Sequence, residues 1–229
     1  RFGLQGTRSF VDPDPELVQA LEQQFSRRLH GLLHAKLKIY RIEPHLGRLG
    51  DGLAGLAAEA RADLLVVGSR ARPALERFWE GSVARQALHA ATMSVACVPG
   101  PAAAQLAHPP RLSAVLAATD FSELGNDAIP LAYAAVSPGG IVHLLHVVSA
   151  DGRRGVPSDV FQGLGEATPE AMKAAETRLL ELVPADASAR HIATRVYAFD
   201  SNDASDAICQ TAERLDVDLI CLGTHGRSG

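Results

Sequence analysis

Apolar residues along this chain follow two rhythms, and each predicts a different kind of element. Short, mainly apolar runs at Leu64–Val67, Ser94–Val98, Ser113–Thr119, Ile141–Val148 and Val217–Leu222 predict strands. Strict alternation at Lys36–Ile42 and at His191–Tyr197 predicts two more, the first at a sheet edge. Spacing of three and four predicts helices between them. One runs from Pro15 to about Leu33 on Leu17, Val18, Leu21, Phe25, Leu29 and Leu32, after the start signal Asp12-Pro13-Asp14-Pro15. Others cover Gly52–Ala60 behind a cap at Asp51, and Val83–Ala90. A further helix spans Glu123–Ala135, with Leu124, Ala128, Leu131 and Ala135 as its apolar stripe. Thr168-Pro169-Glu170 starts a helix to about Leu182, and Asp203 starts one over Ala204–Leu215. Arg1–Val11 shows no period, and Ser149–Thr168 reads as a polar, glycine-rich, mobile connection.

Two of the strands open into glycine-rich stretches. Leu64–Val67 leads to Gly68-Ser69-Arg70-Ala71-Arg72, with Gly81-Ser82 further on. Leu219–Leu222 leads to Gly223-Thr224-His225-Gly226-Arg227-Ser228-Gly229. An offset of 155 places Gly68 on Gly223, and with it Asp63 on Asp218, Asp51 on Asp206, Ala57 on Ala212 and Arg72 on Arg227. The chain is therefore an internal repeat. The first unit takes residues 1–100, a Pro- and Ala-rich linker 101–111, and the second unit 112–229. Continuous strands alternating with helices predict an α/β fold with parallel sheets covered on both faces. Ligands of such sheets sit at the carboxyl ends of the strands, where strand order reverses, and both glycine loops and Asp120 fall on that rim.

Composition narrows the classes. A length of 229 residues with 47% hydrophobic and 21% charged residues suits a globular protein with a true core. No apolar run approaches a bilayer span, so no membrane role is expected. The formal charge of −4 gives no general attraction to nucleic acid. Three cysteines without a CxxC make no disulfide framework; Cys97 and Cys221 read as small buried hydrophobes and Cys209 as a helix residue, in a reducing, cytoplasmic setting.

Glycine loops after buried strands present backbone N–H groups, and their commonest cargo is phosphate, although a tight turn alone gives the same pattern. Asp120 can cap the helix that follows, contact a ligand, or do both. His143 and His146 point to opposite faces of one strand and cannot chelate one metal. His225, Arg70, Arg72 and Arg227 can meet phosphate or simply face solvent. Phe78 and Trp79 read as packing residues. No Gly-Lys-Ser/Thr follows either loop, so neither is a Walker-type loop. Ser122 and Ser228 lack a placed histidine, and no catalytic set is visible.

At Ala117-Ala118-Thr119-Asp120-Phe121-Ser122, at Leu144-Leu145-His146-Val147 and at Gly223–Gly229, the sequence resembles the universal stress protein family of the UspA type. The resemblance covers the second unit from Leu112 onward, and the first unit from about Asp14 to Pro99 resembles the later two-thirds of such a domain. It implies two tandem doubly wound domains, each a five-stranded parallel sheet of order 3-2-1-4-5, adenine nucleotide alpha hydrolase-like.

ATP-binding members carry Gly, two residues, Gly, nine residues, Gly, then Ser or Thr. The resemblance implies that Asp120 bonds the nucleoside and that Ala118 and Val147 flank the base. Leu222, Gly223 and Thr224 would lie beneath ribose and phosphates, with Gly226 in the phosphate loop and Arg227 beside it. The last Gly-Ser of the second unit would fall beyond residue 229. In the first unit Gly68 and Gly81-Ser82 match, while Ala71 replaces the middle glycine. The expectation is a cytoplasmic, non-enzymatic stress-response module that binds ATP, with or without Mg2+, in the second domain. A protein partner and a homodimer are further expectations, with Ser94–Val98 pairing with the fifth strand of the second unit. The alternatives are a tandem scaffold that acts through protein contacts, with the glycine loops as vestigial turns, and an adenine-nucleotide enzyme. The first unit shows no leading β-α-β and the second no final helix and strand. Residues before Arg1 and after Gly229, or another chain, are expected to supply them.

Overall fold

A computed structural model of the chain describes residues 14–30, 47–69, 83–99, 111–148, 168–201 and 203–223. Unit 1 spans Arg1–Gln105 and unit 2 Leu106–Gly229. The described elements of unit 1 are α1 (Pro15–His30), α2 (Leu49–Glu59), β1 (Leu64–Ser69), α3 (Val83–Ala90) and β2 (Ser94–Pro99). Those of unit 2 are β3 (Ala114–Ala118), α4 (Glu123–Asn126), α5 (Ala128–Ala135), β4 (Ile141–Val148), α6 (Pro169–Glu181), β5 (Ala193–Asp200), α7 (Ala204–Leu215) and β6 (Leu219–Leu222). The expected lead-in at Arg1–Val11, the strand at Lys36–Ile42, the loop from Arg70 through Trp79 to Ser82, the linker at Pro101–Pro110, nearly all of the Ser149–Thr168 connection and the loop from Thr224 onward lie outside the described residues.

In unit 2 all strands run parallel in the order β5-β4-β3-β6. Counted by the unit's own strands this is 3-2-1-4 among the described residues. The central strand β3 is buried on both faces at Val115, Leu116, Ala117 and Ala118. One face carries Val115, Ala117, Val142 and Leu144 against Ile129, Ala132 and Tyr133 of α5 and Leu179 of α6. The other carries Leu116, Ala118 and Leu145 against Ala212 of α7, with Val147, Tyr197 and Phe199 beside them. Burying each of the large aliphatic side chains contributes about 1.5–3 kcal/mol. Tyr133 is fully buried, and its hydroxyl is hydrogen-bonded to Thr194 Oγ1 at 2.6 Å, so the phenol reaches the core without an orphaned oxygen.

Several sequence expectations shift. The predicted helix over Glu123–Ala135 is divided at Asp127 into α4 and α5. Pro130 has no N–H to give the Asn126 carbonyl, which removes the bond that would join the two. The buried stripe is Gly125, Ala128, Ile129, Ala132 and Tyr133, while Leu124 and Leu131 are half exposed. Small residues let α5 lie close on the sheet, and that contact outranks the larger leucines. The helix expected behind Asp51 starts at Leu49, with Arg48 at the N-cap position and Asp51 in the first turn, where its charge still suits the helix N-terminus. The strand expected at His191–Tyr197 is Ala193–Asp200, because His191 takes a positive φ and turns the chain before pairing begins. Gly68 lies within β1 opposite Val98 rather than in a loop. Cys97 is exposed on β2, a strand with only one described neighbour, instead of buried.

The repeat is visible in backbone detail. At the offset of 155, α2 and α7 begin at matching residues. After them Arg61 (φ 51°) and Asp216 (φ 49°) take the same left-handed conformation. The next residues donate to matching carbonyls, Ala62 N–H to Ala57 at 2.9 Å and Val217 N–H to Ala212 at 3.1 Å. Asp218 then ties the amino ends of two strands together: its Oδ2 accepts from Ser113 N–H at 2.7 Å and Ala114 N–H at 3.0 Å.

Among the described strand residues, His143 is the one whose chemistry conflicts with its place. It is 4% exposed on the α7 face of β4, and its Nδ1 is buried without a hydrogen-bond partner. Its ring lies 5.7 Å from that of Tyr197. Burial, and then the charge of Arg195, push its pKa below the usual imidazole value. The unfolded chain therefore takes up this proton first as pH falls, and the stability tied to His143 is full above about pH 6.5 and declines below it. Denaturant midpoints of wild type and His143→Leu at about pH 8 and about pH 5 check this: the acid loss is expected to be smaller in the variant, and equal losses would refute it.

Candidate functional site

Strand order reverses between β3 and β6. From β3 the chain moves outward through β4 and β5, then returns to place β6 on the other side of β3. The carboxyl ends of β3 and β6 therefore flank the switch point of the sheet, the usual ligand position in such folds. Asp120 follows one of these strands and Gly223 the other.

The turn after β3 is held by a linked set of hydrogen bonds. Thr119 N–H donates to the Leu145 carbonyl at 3.0 Å, continuing the ladder one step past the strand. Its hydroxyl donates to Asn126 Oδ1 at 2.8 Å and accepts from Phe121 N–H at 2.9 Å. Its carbonyl accepts from His146 Nδ1 at 2.8 Å. Asp120 Oδ1 accepts from Ser122 N–H at 2.9 Å and from the Ser122 hydroxyl. Ser122 Oγ in turn accepts from Gly125 N–H at 3.0 Å. The cap of α4 is thus Ser122, with Asp120 supporting it from behind. Ser122 gives its proton to Asp120 and a lone pair to the helix, which is a capping arrangement rather than that of a nucleophile. Of the residues forming this turn, sequence reasoning placed Asp120 but gave no role to Thr119, Asn126 or His146. The signal was present in the ATDFS and LLHV segments, but not the contact between them.

The other candidates divide sharply. Ala118 is 7% exposed and packs in the α7-side core, so a base could meet little more than its backbone. Val147 is half-buried on the same face, opposite Phe199 of β5. Leu222 is 51% exposed, and β6 is covered on one face only, through Leu219 and Cys221. Burial pushes the Cys221 thiol up to about 11, so it stays protonated and is no nucleophile. Gly223 is close to the start of α4. Gly68, its repeat mate, lies in unit 1. Gly81, Ser82, Thr224, Gly226 and Arg227 lie outside the described residues. Among the described residues no group of three His, Cys, Asp or Glu lies together to hold a metal ion, and no helix is long and apolar enough to cross a membrane.

A model of the universal stress protein family matches residues 5–99 and again 112–229. The chain belongs to the universal stress protein family. The two matches make it a tandem member with two such domains. Among solved structures, a universal stress protein from Archaeoglobus fulgidus DSM 4304 is 17% identical, with 93% of this chain and 70% of that chain covered at a TM-score of 0.55. A protein of the same family from Burkholderia pseudomallei is 19% identical over 52% of this chain and 86% of that one, with a TM-score of 0.38. The first supports the fold over nearly the whole universal stress protein chain. No curated protein matches the chain.

The two domains use their matching glycines differently. A Cβ on Gly223 would come within 2.6 Å of the Leu124 carbonyl oxygen and 2.8 Å of Gly125 Cα, both backbone atoms that cannot swing aside. A Cβ on Gly68 would meet none of the described residues within 4 Å. Gly223→Ala is therefore expected to cost about 1–3 kcal/mol of stability through overpacking. Gly68→Ala is expected to be neutral or to stabilise by up to about 1 kcal/mol. Equal costs for both in thermal or denaturant unfolding would contradict this account of the rim.

Proposed function

We propose that this universal stress protein binds ATP at the carboxyl rim of unit 2. It would serve as a stress-response module that changes state or partner with its nucleotide. The carrying observation is Asp120 beyond the end of β3 at the switch point, with its Oδ1 held by Ser122 N–H and Oγ. The Ser122 N–H and hydroxyl orient the Asp120 carboxylate, an acceptor of the kind that meets the hydroxyls of a ribose. Val147 adds an apolar edge nearby for a base, and Gly223 opens the phosphate-loop segment, whose Thr224, Gly226 and Arg227 complete the reading at the level of sequence. Mg2+ would arrive with the phosphates and take its ligands mainly from them and from water. The same reading makes the protein cytoplasmic, able to form a homodimer or meet a protein partner, and a binder rather than an enzyme.

In unit 1 a specific observation favours the scaffold reading. Gly68 is a paired strand residue, and Ala71 stands where the middle glycine of the ATP-binding pattern would be. ATP and contact functions would then be divided between the two units.

Denaturing the purified protein and identifying released nucleotide by mass tests the proposal. Wild type is expected to release ATP. Asp120→Ala, with folding intact, is expected to bind about 10- to 100-fold more weakly and to release little, the loss of a hydrogen bond to a charged group. A wild type that releases none and takes up none at millimolar ATP with magnesium would move the assignment to the scaffold.

A further inference from the structure

We infer that His146 and Phe121 are positioning residues for Asp120, an inference that rests on the nucleotide reading above. They act on the Thr119–Ser122 turn rather than on a ligand. Phe121 takes a φ of 63°, in the left-handed region that a bulky side chain avoids. Strain of this kind persists only where the surroundings over-determine it, and it gathers at functional sites.

Four contacts hold Phe121 there. Its N–H donates to Thr119 Oγ1 at 2.9 Å. Its ring centroid lies 4.2 Å from that of His146, with the planes 34° apart. The guanidinium carbon of Arg178, reaching from α6, lies 4.2 Å from the same centroid. The ring also packs against the core on the α5 side of the sheet. His146 then grips the turn a second time. A carbonyl can only accept, so the 2.8 Å contact between Nδ1 and the Thr119 oxygen fixes the proton on Nδ1.

One imidazole therefore fixes the residue before Asp120 by its carbonyl and the residue after it by its ring. Asp120 lies between two clamped neighbours, and its Oδ1 is left within reach of Ser122 N–H and Oγ. Without the imidazole the Thr119 carbonyl loses its donor, and Phe121 is free to relax to negative φ. That relaxation turns the peptide between Asp120 and Phe121 and carries the carboxylate away from Ser122. The clamp comes from β4 and the clamped turn from β3, two strands paired directly through Ala118 and Leu145.

The full chain carrying His146→Ala, His146→Gln or Phe121→Leu tests this. Two readouts are taken: amide hydrogen exchange at Ser122 and Gly125, whose N–H groups report the turn, and ATP affinity by calorimetry. His146→Ala and Phe121→Leu are expected to speed exchange at Ser122 and Gly125 by about 10-fold or more while Leu144 and Leu145 in β4 keep their protection. ATP affinity is expected to weaken by about 10-fold in both. His146→Gln retains a donor and is expected to recover most of both losses. Unchanged exchange at Ser122 and Gly125, or a rise matched at Leu144 and Leu145, would overturn the inference, since a residue that merely fills the core lowers protection everywhere. If His146→Ala does not fold, Phe121→Leu gives the same readout. If the wild type takes up no ATP, the nucleotide reading fails on its own, and the exchange pattern still decides whether these residues hold the turn.

Discussion

Burial of β3 on both faces is the constraint on which unit 2 depends. Val115 and Ala117 face α5, Leu116 and Ala118 face α7, and the strand has a paired neighbour on each side. A strand in that position must be apolar along its whole length, because neither face meets water. Its end must also satisfy its backbone where the ladder stops. Thr119 does this with four hydrogen bonds: its N–H extends the ladder to Leu145, its carbonyl meets His146, and its hydroxyl meets Asn126 and Phe121. The well-formed site turn is thus a direct consequence of ending a fully buried strand: the groups that satisfy Thr119 also hold Asp120.

The two units bury different halves of the same repeat. In unit 2, Leu219 and Cys221 of β6 pack into the α5 side of the core, while Ile220 and Leu222 are exposed. In unit 1 the matching residues show the reverse: Leu65 and Val67 of β1 pack with Ala84 and Ala87 of α3, while Leu64 and Val66 are exposed. The cause is local covering. In each unit the buried face is the one that its described helices cover, α5 for β6 and α3 for β1. Similar strand sequences thus show opposite burial, and a methyl is excluded at Gly223, against Leu124 and Gly125, while at Gly68 it would meet none of the described residues within 4 Å.

Local chemistry made much of the fold legible in the sequence. Val83–Ala90, Ala204–Leu215 and Ile141–Val148 form over the residues expected of them, because their caps, turns and periods lie within a few residues of each end. Thr168 and Asp203 cap as their residue types predict, each accepting from the N–H three residues on. The stripe of α4 and α5 was misread for a physical reason: alanine carries little hydrophobic signal, yet Ala128 and Ala132 are what allow the helix to approach the sheet, and Leu131 is turned outward.

The sequence by itself determined the alternation of strands and helices, the repeat, the family, and Asp120 as a rim residue, because each of these is written in spacing and residue type along one stretch of chain. Only the tertiary structure decided which strands became neighbours. From that came the imidazole of His146 beneath the Thr119 carbonyl, the left-handed Phe121 between them and Arg178, and the contact of Gly223 with the start of α4. Ala118, which the sequence offers as a base-flanking residue, became core for the same reason. These contacts join residues far apart in the chain, and no local preference encodes them; they exist because a central strand buried on both faces draws β4, β6 and their helices around one short turn.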